Sequence, residues 1–544
     1  MTTSKDSIEE SYEEALDALV NGPLHQARTK EALAKTAARR KNTIQDMKTY
    51  MKRISLLDDA FPKSLSIVHI TGTKGKGSTS ALCESILREH YGLRTGLFTS
   101  PHLVDIRERI RIGGQPVSKE VFAKTYWEVR KRLEKYRGQS EEDEDPDLPH
   151  LPGYFRMLTL MAFFTFAHYE PKLDVIILEV GMGGRFDATN ILDMDGRNAV
   201  CGVTLLDLDH TRVLGDTLEQ IAWEKGGIFQ AIKGQSDYDE STQQPTTDAT
   251  LFIIDSNTKS VISAFEKCAK EESNGRTLKI VGECTKAVPD TVTIGLPGDH
   301  QRINAELAVA LCEAVTKSLS SIDSKKRKNT DTLYQALANA SWPGRCQTVS
   351  YPAAKIPTNL RLDGSHTPIS LKAGYDWFCS VSKADNTKRY LIFNCSHERN
   401  PVELLSLLLP SSDATFEKAF FCRSDFARPS AVTKANAEDL LKDGGIAVRE
   451  ELLPDSSSDT PVTWQVTLEA IWKHLEAESK VSTKAATVVN LTVGEALEQI
   501  KEVSADDDSC QLEVFVVGSL YLAGSTLNAI GWREPEAEGG LKLN

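Results

Sequence analysis

Five short groups of residues carry side chains suited to phosphate and metal chemistry. The first is Gly72-Thr73-Lys74-Gly75-Lys76-Gly77-Ser78-Thr79. Glycines let backbone N–H groups turn toward an anion, and a helix start adds partial positive charge. Lys76 can reach the β- and γ-phosphates of a nucleotide, and Ser78 or Thr79 offers a hydroxyl to Mg²⁺. The spacing departs from a strict Walker A. Two residues separate Gly72 from Gly75-Lys76, and Gly77 stands between the lysine and Ser78. The other groups are Ser100-Pro101-His102, Glu179, His210 and Lys225-Gly226-Gly227. A hydroxyl, a carboxylate and an imidazole brought together would make a Mg²⁺ shell of mostly hard oxygen. Taken singly, each group has a plain structural reading. Glu179 is then a strand-end carboxylate, His210 a hydrogen-bonded edge histidine, and Lys225 a cation answering a helix dipole before glycines. Taken together they converge on one sheet edge beside a phosphate loop, and that favours a site.

The elements that must position these groups are readable from periodicity. The apolar, β-branched run Ile67–Thr71 reads as a strand, and Ala81, Leu82, Ser85, Ile86 and Leu87 read as the helix after the loop. Thr95–Thr99 is a second strand, followed by a polar loop through Arg107-Glu108-Arg109-Ile110-Arg111-Ile112 to the turn Gly113-Gly114. Asp174–Glu179 is a buried parallel strand, and Ala199–Leu206 another, ending at Asp207-Leu208-Asp209-His210. A helix from Leu218 to Trp223 precedes Lys225, and a long helix opens at His300-Gln301-Arg302-Ile303-Asn304. Residues 8–20 and 43–57 read as amphipathic helices, Met157–Ala167 as a buried one, and the basic stretch Arg28–Lys41 as solvated surface. Strands alternating with helices imply a parallel sheet with ligands at the strand carboxyl ends.

Trp342-Pro343-Gly344-Arg345 punctuates the chain as a joint. Beyond it, strands at 359–362, 390–394, 418–422 and 512–517 alternate with helices at 402–409, 433–442 and 464–477. The expected fold class is α/β with two domains. Residues 1–341 form a P-loop-type parallel-sheet ATPase domain with N-terminal helices, and residues 342–544 a smaller Rossmann-like α/β domain. Polar stretches at 138–149, 234–248, 318–331, 453–461 and 504–509 read as surface insertions.

Composition excludes several classes. A chain of 544 residues exceeds one ordinary core, and 40% hydrophobic with 26% charged residues is a globular balance. A net charge of −13 argues against a nucleic-acid or anionic-membrane surface. Ten cysteines without a CxxC pair imply reduced thiols and no zinc site. No apolar run approaches the ~18 residues that cross a membrane. The acidic N-terminus lacks a signal-peptide core, so the expected compartment is the cytoplasm, with a mitochondrial form from an alternative start compatible with the sequence.

Ordered blocks extend these motifs. They include Thr99-Ser100-Pro101-His102-Leu103, Leu178-Glu179-Val180-Gly181-Met182-Gly183-Gly184-Arg185-Phe186-Asp187-Ala188-Thr189-Asn190 and Ile221-Ala222-Trp223-Glu224-Lys225-Gly226-Gly227-Ile228. Trp342-Pro343-Gly344-Arg345, Leu362-Asp363-Gly364-Ser365-His366-Thr367 and Gly518-Ser519-Leu520-Tyr521-Leu522 follow. On these residues the chain resembles the folylpolyglutamate synthase family of the Mur ligase superfamily over roughly residues 8 to 530.

The resemblance implies an ATP-dependent ligase that adds L-glutamate to the γ-carboxylate of tetrahydrofolate or its polyglutamates through an acyl phosphate, releasing ADP and phosphate. It assigns Gly72, Lys74, Gly75, Lys76, Gly77 and Ser78 to the ATP phosphates, Asn304 and Arg345 to the nucleotide, and Ser100, Glu179 and His210 to Mg²⁺. Lys225 matches a lysine that the family carbamylates, which makes it a ligand for a second Mg²⁺ and a catalytic residue. Asp363 and His366 join it as catalytic residues, Asp363 at ATP and His366 with Ser519 on the glutamate side, while Arg109 meets a substrate carboxylate. K⁺ and a monomeric state are also family expectations. His397, Glu398 and Asn400 depart from the family's usual residues around Arg399, leaving that loop without an assigned role. The alternatives are a bifunctional enzyme that also joins dihydropteroate to glutamate, a Mur-type ligase with a cell-wall substrate, and a non-catalytic nucleotide-binding module.

Overall fold

The protein is described by a computed structural model. It covers all residues except 1–4, 23–38, 57–60, 63, 137–144, 146, 192–197, 233–237, 240–243, 246–249, 274–275, 283–284, 318, 320–321, 323–328, 384–385, 397–398, 410–414, 425–437, 440, 443–462, 480–483, 491, 504–509 and 543–544. The insertions at 453–461 and 504–509 lie outside the described residues. So do most of the acidic insertion, of 234–248, 318–331 and the helix expected at 433–442, together with His397 and Glu398.

The chain forms two compact units. The first comprises Met1–Gly295, Gln301–Ser341 and Glu534–Asn544, and the second Leu296–His300 and Trp342–Arg533. Two short segments, 296–300 and 534–544, thus pack with the unit opposite to the one expected from a single break at 341/342.

The first unit is built on eight strands: β1 (Ser66–Thr71), β2 (Thr95–Phe98), β3 (Ile110–Ile112), β4 (Gln115–Pro116), β5 (Val175–Glu179), β6 (Ala199–Val203), β7 (Leu251–Ile254) and β8 (Leu278–Val281). Their order is β8-β7-β6-β1-β5-β2-β3-β4, with β3 alone running against the rest, antiparallel to both β2 and β4. Every residue of β1, β5 and β6 is buried, polar Ser66, His69, Thr71 and Glu179 included, as in largely apolar strands covered on both faces. From β1 the chain builds first toward β2 and β5, then toward β6, so the winding reverses at β1. Open α/β sheets bind ligands at the strand carboxyl ends of such a reversal. The register fixes that edge: Ile70 lies level with Glu179 on one side and Gly202 on the other, and Phe98 with Leu178.

Helices cover both faces. In chain order they include α1 (Lys5–Val20), α2 (Thr43–Arg53), α3 (Lys76–Ser85), α4 (Tyr154–His168), α5 (Leu218–Gly226) and α6 (His300–Thr316). The apolar run Met157–Ala167 is buried along its whole length within α4, as its composition requires. Two sequence readings are corrected. Ile110–Ile112, read as loop, is a strand paired between β2 and β4, its apolar residues buried in the core while Arg111 is neutralised by Glu534, a carboxylate distant in sequence. The helix expected to stop at Trp223 continues through Gly226, so Lys225 sits on the helix itself.

The second unit has six strands: β9 (Gln347–Ser350), β10 (Thr358–Leu362), β11 (Thr387–Phe393), β12 (Lys418–Cys422), β13 (Ala486–Asn490) and β14 (Gln511–Val517). They run β9-β10-β14-β11-β12-β13, parallel except for β9. Helices α7 (Pro368–Val381) and α8 (Leu520–Ala529) are among those that flank the sheet. Its core includes Phe378 stacked on Phe515, with ring centroids 4.7 Å apart. The α/β class in two parallel-sheet units is as the sequence reading expected. Among the described residues, no helix is long and apolar enough to cross a membrane, and the described cysteines are free thiols, all but Cys379 buried.

Candidate active site

At the end of β1 the chain enters the phosphate loop. Thr73 N and Lys74 N both donate to Leu205 O, at 2.9 and 3.0 Å, which ties the loop to the segment after β6. Gly75 is the N-cap of α3 at φ 90°, a left-handed conformation that a side chain disfavours. A Cβ there would also stand 2.5 Å from Asn304 Oδ1. Asn304 Nδ2 donates to Gln301 Oε1 at 2.9 Å, and Gln301 Nε2 reaches Ser78 Oγ at 3.4 Å, so α6 braces the first turn of α3. The first N–H groups of α3 have no intrahelical acceptor, and Gly75 supplies no side-chain cap. Such a turn fits a phosphate group. Among the described residues the buried Thr79 hydroxyl finds no hydrogen-bond partner, a further oxygen on this turn.

The neighbouring strand ends complete the edge. Glu179, at the end of β5, is buried and accepts Ser100 N on Oε2 at 3.1 Å. Lys74 Nζ lies 3.6 Å from Asp209 Oδ2, in the loop that ends at His210. His210 is exposed at φ 53°, at the start of the one-turn helix Thr211–Leu214. Lys225 is buried on α5 and donates Nζ to Gly72 O at 2.8 Å. Burial, and then the charge of Lys76, hold its ammonium well below the ordinary lysine range. The structure therefore joins Ser100 to Glu179 and Lys225 to the phosphate loop. Among the described residues, no group of three or more His, Cys, Asp or Glu is arranged to hold a metal. The oxygen donors Glu179, Ser78, Ser100 and Thr79 nevertheless suit a hard cation.

Several positioning contacts were not foreseen. The loop after Glu179 is pinned to β1, Thr71 Oγ1 donating to Gly183 O at 2.8 Å and His69 Nε2 lying 2.9 Å from Thr189 Oγ1. At Gly184 a Cβ would stand 2.6 Å from Lys225 O, so only glycine admits this approach of loop to helix. Arg40 pairs bidentately with Glu224, beside Lys225, at 2.9 and 2.7 Å. The described end of the basic stretch, read as solvated, is thus an anchor, because Arg39 and Arg40 find Asp46 and Glu224. Arg109 donates Nε to His102 Nδ1 at 2.9 Å and lies over the Tyr154 ring at 5.7 Å. His102 is therefore neutral at Nδ1, and burial together with the Arg109 charge lowers it to about 3.

In the second unit the end of β10 presents Asp363. Its carboxylate accepts Cys346 N at 2.8 Å and Ser365 N at 2.9 Å, an arrangement that closes the turn after Arg345. At Gly364 a Cβ would come 2.5 Å from Arg345 Nη1. His366 Nδ1 donates to Gly364 O at 2.9 Å. Gly518 N donates to Ser365 O at 3.1 Å, and Ser519 follows as the N-cap of α8 without a side-chain cap bond. Arg345, Asp363, His366 and Ser519 thus gather at one end of β10 and β14.

No family model matches the chain. Among curated proteins it is 38% identical over 406 residues to the mitochondrial folylpolyglutamate synthase of Bos taurus. That match takes in 70% of this chain and 62% of the bovine protein, under two thirds of its length. It is 31% identical over 566 residues to the folylpolyglutamate synthase of Arabidopsis thaliana, covering 96% of this chain and 88% of that protein. The chain belongs to the folylpolyglutamate synthase family. A solved structure, Mycobacterium tuberculosis folylpolyglutamate synthase complexed with ADP and AMPPCP, superposes with a TM-score of 0.64 at 21% identity. The likeness covers 90% of this chain and 96% of that one and establishes a shared fold. Within the folylpolyglutamate synthase family, the blocks around Gly72, Glu179 and Lys225 are thus carried on one sheet edge in this chain.

Proposed function

We propose that the chain is an ATP-dependent ligase that adds L-glutamate to the γ-carboxylate of tetrahydrofolate and its polyglutamates. One observation carries the reading. Ile70 is level with Glu179 and with Gly202, so the phosphate loop, the Ser100–Glu179 bond and Lys225 share a single edge. A carboxylate is a poor electrophile. One of its oxygens attacks the γ-phosphorus of ATP, ADP leaves, and an acyl phosphate forms. The glutamate amine then attacks the acyl carbon, loses a proton, and phosphate departs with the C–O electron pair. This chemistry needs positioning and charge neutralisation rather than a protein nucleophile.

In this reading Gly72, Lys74, Gly75, Lys76, Gly77 and Ser78 hold the triphosphate, Asn304 and Arg345 also meet the nucleotide, and Asp363 meets ATP. Ser100, Glu179 and His210 would hold Mg²⁺, which when bound neutralises the phosphate oxygens. Burial, which disfavours the Lys225 ammonium, favours the neutral amine, and that amine, adding CO₂ and releasing a proton, would become a carbamate able to hold a second Mg²⁺. Arg109 orients the folate carboxylate as a planar fork, while His366 and Ser519 orient the incoming glutamate. A K⁺ requirement, a monomeric enzyme and a cytosolic location with a mitochondrial form belong to the same proposal.

The test offers purified protein ATP, Mg²⁺ and labelled glutamate with tetrahydrofolate, dihydropteroate or neither. Label should enter tetrahydrofolate alone. Incorporation into dihydropteroate as well would make the enzyme bifunctional. Nucleotide binding without any incorporation would leave a non-catalytic module and end the ligase reading.

A further inference from the structure

The last residues of the chain return to the first unit, and they close on the loop that carries Arg109. Glu534 pairs bidentately with Arg111 Nη1 and Nη2 at 2.9 and 2.7 Å, and Glu536 pairs with Arg107. The backbone follows the same path. Ala537 N donates to Pro116 O at 2.8 Å, and Gly540 and Leu541 pair antiparallel with Glu170 and Tyr169. Ala537 is buried in the core of this unit. The three arginines are thereby sorted. Arg107 and Arg111 each hold a carboxylate of the terminal segment, whereas among the described residues Arg109 has no carboxylate partner and rests on neutral His102. The same loop is stiffened from within, since Glu108 accepts Leu103 N, Val104 N and Asp105 N at 2.7 to 2.9 Å.

We propose that Glu534 and Glu536 are positioning residues for substrate binding, and that residues 534–541 act as a strap holding the 100–112 loop so that Arg109 is the arginine left to meet a substrate carboxylate. The proposal rests on the reading of Arg109 given above. Two ion pairs and a strand pairing make the strap part of this unit, although the second unit intervenes in sequence. The partners that hold it, Arg107, Arg111, Pro116 and Tyr169, all lie outside the phosphate loop, so its loss should separate folate binding from nucleotide binding.

The experiment compares the full-length chain with its Glu534→Gln/Glu536→Gln variant. Steady-state kinetics should show KM for tetrahydrofolate raised tenfold or more, with KM for ATP and kcat within threefold of the parent. Hydrogen exchange should quicken at least tenfold at amides of 99–112 and stay unchanged at 72–79. Unchanged folate KM, or folate and ATP KM rising together, would overturn the proposal, as would unchanged exchange at 99–112. If the parent chain incorporates no glutamate, the ligase reading fails on its own, and the exchange comparison still decides the strap.

Discussion

Replacing His69 with glutamine should flatten the acid side of the stability curve. His69 is fully buried on β1. Thr189 Oγ1 donates to Asp187 Oδ1 at 2.6 Å, so toward His69, 2.9 Å away, it presents a lone pair. That fixes the imidazole as the Nε2–H tautomer and leaves Nδ1 bare, with no partner among the described residues. Protonation of Nδ1 would place a cation in an apolar interior, and burial lowers the group from 6.5 to about 3. The unfolded chain therefore binds a proton near pH 6.5 that the folded chain refuses. Stability contributed by this site is present above pH 6.5 and is lost as pH falls below it. Linkage over the interval from pH 7 to pH 5 amounts to roughly 2 kcal/mol. Glutamine keeps an N–H donor for Thr189 and has no proton to take up. Urea denaturation at pH 7, 6 and 5 should show the parent losing about 2 kcal/mol more than the variant across this range. Parallel pH profiles for the two proteins would refute the reasoning, since every other titrating group, Asp187 included, is common to both.

Three further outcomes follow from the same contacts. Gly75→Ala must place a Cβ in the left-handed region 2.5 Å from Asn304 Oδ1, so isothermal titration should find ADP bound about tenfold more weakly, the equivalent of ~1.4 kcal/mol. Lys225→Ala should reduce glutamate incorporation about 10²-fold or more while the melting temperature moves little; undiminished turnover would remove Lys225 from the mechanism. In the second unit, Glu513 is 1% exposed and is held by Arg361, with Nε to Oε2 at 2.5 Å, and by Asn359. Arg361→Met strands that carboxylate and should cost about 3–5 kcal/mol in urea unfolding, most of it recovered by adding Glu513→Leu.

What the sequence makes legible here is local. A strand buried on both faces is mostly apolar, so residues 67–70 and 175–178 announce themselves, and a glycine loop beside them marks the phosphate turn. The short strand Leu251–Ile254 carries the same chemistry in four residues, and Leu278–Val281 exposes Lys279 and Ile280 between its buried ends, so each is too short for periodicity to speak. The contacts that position the site are of another kind. Arg40 and Glu224 are 184 positions apart, and Arg111 and Glu534 are 423 apart. Each partner alone reads as a surface charge, because a side chain's ionic partner leaves no local pattern. Burial supplies the missing term: an arginine as enclosed as Arg111 needs a carboxylate from somewhere in the fold. Arg109 is equally buried and lies two positions from Arg107 and two from Arg111, yet it meets a neutral imidazole instead. Three arginines of similar spacing thus divide into two that hold the fold and one whose charge the described fold leaves for a ligand. That division is created by the return of the terminal segment, which is why it becomes visible only in three dimensions.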